Sequence, residues 1–78
     1  MKFKPNDIIL YDYSYRKIKC KALLKVIGTN DLGTDYFIMV LKEMKGSFKS
    51  GLVPYKDIDT YSSKAKKQAL ILYAPTNP

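Results

Sequence analysis

TDYFIMVLK, residues 34–42, is the run whose reading decides the fold. It is short, aromatic and β-branched, and turn signals bound it, GTNDLG (28–33) before and KGS (45–47) after. In an extended chain successive side chains take opposite faces. Tyr36, Ile38 and Val40 therefore line one side, and Phe37, Met39 and Leu41 the other. A strand apolar on both faces belongs in the middle of a small β structure. A neighbouring strand is expected on each side of it.

Upstream, residues 17–27 read KIKCKALLKVI. As a strand they put Ile18, Cys20, Ala22, Leu24 and Val26 inward and Lys17, Lys19, Lys21 and Lys25 outward, with Leu23 the one breach. As a helix they align Lys17, Lys21 and Lys25 in a stripe beside the helix formers Ala22, Leu23 and Leu24. The helix, however, places Lys19 inside the apolar arc and finds no cap at Arg16. The strand is the better reading. Residues 7–15 alternate as well, with Ile9, Tyr11, Tyr13 and Tyr15 on one face. Residues 14–17 are then the reversal between the two strands. Phe3 is the expected anchor of the lead-in, and Pro5-Asn6-Asp7 the turn that launches the first strand.

Downstream, residues 48–54 are expected as a fourth strand, bent at Gly51 and ended by Pro54. Residues 54–57 read as one helical turn and residues 58–61 as a short closing strand. Residues 62–68 suit a short helix capped by Ser62 or Ser63, and ALILYA (69–74) a last strand or that helix's end. Five short strands, tight turns and a helical turn describe a mainly β chain, a small barrel of SH3-like type. The barrel spans residues 1–61, and residues 62–78 form a basic and apolar C-terminal arm.

Seventy-eight residues make one domain. The 14 Lys+Arg against 7 Asp+Glu leave a net charge of +7, which points to an acidic partner, nucleic acid before others. Arg16 is the sole arginine. Lysine is a point charge without a planar fork, which favours phosphate attraction over base-specific readout. One cysteine forms no internal disulfide, so a reducing compartment is expected. The opening MKFKPND has no apolar run of signal-peptide length, and nothing approaches the roughly 18 apolar residues of a membrane span. The expected location is the cytoplasm, without membrane contact.

Enzyme chemistry finds little support. The chain has no histidine, hence neither the commonest general base nor the commonest zinc ligand. Cys20 lies between Lys19 and Lys21, but on a strand those lysines face away from it, so a buried structural thiol is the better reading. Asp57 and Asp59 share a face if extended and resemble a carboxylate pair, yet one exposed turn beside Lys56 explains them equally. No Gly-Lys-Ser/Thr loop cradles a phosphate. The expectation is a non-enzymatic protein without cofactor, metal or small-molecule substrate.

The candidate site is the lysine row. On one strand face, Lys17, Lys19, Lys21 and Lys25 are spaced by multiples of ~6.6–7 Å, comparable to successive phosphates. The alternative is that they keep an exposed strand soluble and unpaired. Tyr11 and Tyr13, on the neighbouring strand, either stack bases beside the row or pack the barrel with their hydroxyls in water. In the arm, Leu70, Leu72 and Tyr73 are too apolar for water. They are expected to pack on their own sheet or on other protein subunits.

The opening FKPNDII (3–9) resembles the F-K-x-G-D-I-V start of SH3-like barrels. The Lys45-Gly46 … Pro54-Tyr55-Lys56-Asp57-Ile58-Asp59 block is similar to the close of many small bacteriophage and prophage proteins. The resemblance implies the fold and a phage or mobile-element setting, in the host cytoplasm or the virion, and supplies no active site. Two functions are then expected in order. The first is a module whose basic face binds nucleic acid. The second is a small virion component or adaptor that assembles on other proteins through its tyrosine surface and arm.

Overall fold

A computed structural model of the chain describes residues 1–43 and 48–65. Its elements are β1 (Ile8–Tyr15), β2 (Ile18–Thr29), β3 (Asp35–Glu43), β4 (Gly51–Pro54), α1 (Tyr55–Tyr61) and β5 (Ser62–Lys64). The strands form one antiparallel sheet in the order β4-β3-β2-β1-β5. The protein is mainly β, as its alternation requires, and β3 has a partner on each side. The fold is consistent with a small barrel.

β2 pairs with β1 through Ile18–Lys25 and with β3 from Ala22 to Thr29. Two irregularities bend it, one between Leu23 and Leu24 and one between Val26 and Gly28. An extra residue on one strand increases local twist, and this lets one long strand serve both ends of a curled sheet. The enclosed face carries Ile9, Tyr11, Cys20, Ala22, Leu24, Val26, Tyr36 and Ile38, all buried. Phe3 from the lead-in and Ile58 from α1 complete this core. Leu23 breaks the alternation as expected, yet it too is buried, at 1% exposure on the opposite face in register with Leu10.

Three turns show why these residues stand where they do. Asn6 holds φ 74°, a left-handed conformation that asparagine tolerates better than most. Arg16 and Lys17 hold φ 49° and 66° and form the two-residue tip of the β1–β2 hairpin. At the β2–β3 turn, Asn30 Oδ1 accepts from the N–H groups of Thr34 (2.9 Å) and Asp35 (3.0 Å), while Gly33 takes φ 69°.

The structure corrects several boundaries. The fourth strand begins at Gly51, and Phe48 precedes it as a side chain packed against the core. The helix runs through Tyr61, because Tyr55, Ile58 and Asp59 follow helical spacing and Ile58 is fully buried. The closing strand is Ser62–Lys64, in place of the expected helix, and it pairs with Ile9–Tyr11. Ile18, expected inward, is exposed at the strand's start. Residues 66–78, with the expected helix end, strand and interaction residues Leu70, Leu72 and Tyr73, lie outside the described residues.

Tyr36 ties the layers together. Its ring is fully buried, and its hydroxyl accepts from the Phe3 N–H (3.0 Å) and donates to Asp59 Oδ1 (2.6 Å). Tyr36→Phe keeps the ring but leaves the buried Phe3 N–H without its acceptor. It should destabilise the protein by about 1–3 kcal/mol in denaturant unfolding, whereas a loss under ~0.5 kcal/mol would show that the hydroxyl is peripheral.

Candidate functional site

Among the described residues β5 pairs with Ile9–Tyr11, and β1 runs on beyond it towards the hairpin tip. Beside that overhang lies α1. Between them opens a groove of about 740 Å³ lined by Tyr11, Asp12, Tyr13, Lys19, Lys21 and Tyr61, with Ser14, Cys20 and Asp57 completing the wall. Four of the six residues singled out from sequence for nucleic-acid contact therefore meet in one place.

The other two do not. Lys17 sits in the hairpin turn and not on the strand, so the row on β2 starts at Lys19. Lys25 stands at the far end, beyond buried Leu23, half-buried and in register with Ile8 and Met39. What the fold gathers is a basic hairpin end made of Arg16, Lys17, Lys19 and Lys21. Within it Lys21 Nζ lies 3.5 Å from Asp12 Oδ1, an exposed pair of small energetic value. The Arg16 guanidinium sits 5.3 Å from the Tyr15 ring centroid.

Tyr11 and Tyr13 pack against the core, and the Tyr13 hydroxyl, expected in water, bonds Glu43 instead. Their rings are stacked at 5.7 Å and 11°, and Phe48 closes on them at 5.0 and 5.3 Å. Tyr11 is 8% exposed, which leaves it little ring face to offer. Glu43 Oε2 accepts both from the Phe48 N–H (2.8 Å) and from the Tyr13 hydroxyl (3.4 Å), and so holds the cluster. Cys20 is buried and its thiol donates to the Ile18 carbonyl at 3.5 Å.

Asp57 and Asp59 part company once α1 is a helix, since residues two apart point to different sides. Asp59 accepts from Tyr36 and from the Lys2 N–H. Asp57 turns to the groove with Tyr61, four residues on. Tyr61 is 55% exposed and is not among the residues singled out from sequence. The signal for it is the 57/61 helical spacing, which is hidden while these residues read as a strand. Among the described residues no group of three or more His, Cys, Asp or Glu side chains is placed to hold a metal ion. No described helix is long and apolar enough to cross a membrane.

No protein-family model, curated protein or solved structure matches this chain.

Burial and the neighbouring Glu43 charge push the Tyr13 phenol up from 10.0 to about 12. Tyr11 is raised by burial and then by Asp57, and Tyr36 by burial and its hydrogen bond to Asp59. The fold thus favours the neutral phenols. The contribution of Tyr13 is complete below pH 10.0 and is lost as pH climbs towards about 12. In a phenolate absorbance titration, the difference between wild type and Tyr13→Phe should rise near pH 12. A difference centred on the ordinary value of about 10 would contradict this environment.

Proposed function

We propose that this protein is a non-catalytic binding module whose basic β1–β2 hairpin end holds a polyanion, nucleic acid by preference. The observation that carries the reading is the hairpin tip. A two-residue turn of this type favours Asn-Gly, because both residues need positive φ. This chain accepts the backbone cost with Arg16 and Lys17, two long cations, and follows them with Lys19 and Lys21. Strain retained at exposed residues is a reason to look for a function there. The resemblance of the opening (3–9) to SH3-like barrels and of the 45–59 block to small phage and prophage proteins supports a mobile-element setting, in the host cytoplasm or the virion.

A second reading rests on a different face. Phe37, Met39, Leu52 and Ile27 are all between 43% and 49% exposed, and Phe37 pairs directly with Leu52 on the sheet. Exposed apolar groups clustered in this way favour a virion component or adaptor that docks on another protein subunit. Salt separates the readings, since phosphate binding weakens steeply as salt rises and apolar docking does not.

The test replaces the tip by its favoured turn. Arg16→Asn with Lys17→Gly should raise the melting temperature and yet weaken binding to unrelated sequences alike. The salt slope should also flatten by about 0.7–0.9 for every phosphate that is no longer neutralised. Lys19→Gln with Lys21→Gln should act on binding in the same direction. Unchanged affinity in these folded variants, or no binding at low salt, would remove the nucleic-acid reading and leave the docking one.

A further inference from the structure

The groove beside the hairpin is unevenly built. Its β2 wall supplies Lys19 and Lys21, and its α1 wall supplies Asp57 and the half-exposed ring of Tyr61. A phosphate is drawn to the first wall and repelled by the second. A flat neutral group finds the reverse, a ring to lie on and a carboxylate that accepts from its N–H groups. From this polarity we infer that the groove takes single-stranded nucleic acid, with the backbone along Lys19 and Lys21 and an unpaired base stacked on Tyr61. The inference rests on the proposed function and adds the strand state and the residue that reads it.

Three observations support this assignment over duplex binding. The first is size, because about 740 Å³ lies within the range of pockets that enclose small flat ligands. The second is the ring inventory. Tyr11 and Tyr13 lie face to face with each other and beside Phe48, whereas Tyr61, at 55%, is the most exposed of the groove tyrosines. A base inside a duplex has both faces stacked and offers none to Tyr61; an unpaired base does. The third is charge. Asp12 and Asp57 offset Lys19 and Lys21 within the groove itself. The cavity is therefore too nearly neutral to act as a phosphate cage, and it suits a strand that presents both a base and its backbone.

Binding is measured by fluorescence anisotropy at low salt on the full chain, with a labelled mixed-sequence single strand of about 12 nucleotides and the matching duplex. The single strand should bind more tightly than the duplex. Tyr61→Ala should weaken it roughly 5- to 100-fold, the size of one base–aromatic stack, and Tyr61→Phe should restore it. Tyr61 is exposed, so both variants should keep the wild-type circular dichroism. If single strand and duplex bind equally, or Tyr61→Ala leaves the single strand unaffected, the inference is overturned. Should the hairpin substitutions still weaken both nucleic acids in that case, the basic-hairpin reading stands without it. Absence of binding to either probe overturns the two together.

Discussion

The hydroxyl of Tyr36 is the point on which the architecture depends. It lies on a fully buried side chain of β3 and joins the lead-in at Phe3 to the helix at Asp59. Lys2 reaches the same carboxylate through its backbone N–H. A buried polar group is costly unless paired, so these bonds specify one way of closing the barrel over its core. They also set where α1 lies. With Asp59 held inward and Ile58 plugged into the core, the next positions on the helix surface, Asp57 and Tyr61, are left facing the overhang of β1. The groove is thus a consequence of how the core is capped.

The hairpin on the other side of the groove is shaped by a different constraint. β1 continues past β5, and β2 must turn back at once to pair with it from Ile18 onward. Only a two-residue turn fits that register, and it forces positive φ on Arg16 and Lys17. The two cations therefore stand at a hairpin end whose turn is set by the pairing of Tyr15 with Ile18. The apolar strip at Phe37, Met39 and Leu52 lies on the opposite face of the sheet from the core residue Ile38, and none of the three lines the groove.

Much of this is legible in the residues, and the failures share a cause. β1, β2 and β3 alternate over eight or more positions, and period-2 patterns of that length leave little room for another reading. The last elements are short, seven residues of helix and three of strand, and carry too few periods to discriminate. Ile58 flanked by Asp57 and Asp59 looks like an alternating strand. It is in fact one helical residue aimed at the core, with Tyr55 three positions before it. That single ambiguity hides Tyr61 and makes Asp57 and Asp59 look like a pair. Lys19 and Lys21 are found because they sit in a long strand, whereas Lys17 belongs to the turn by one residue and Lys25 lies beyond buried Leu23. Arg16 escapes notice because a positive φ at arginine has no signature in composition.

Whether the hairpin and the tip of α1 form one binding surface is decided by titrating ¹⁵N-labelled protein with a single-stranded oligonucleotide and following the amide shifts. The shifting amides should cluster at residues 12–21 and at 57–61, while those of Phe37, Met39 and Leu52 stay in place. Shifts confined to Phe37, Met39 and Leu52, or no shifts at saturating oligonucleotide, would contradict a shared surface.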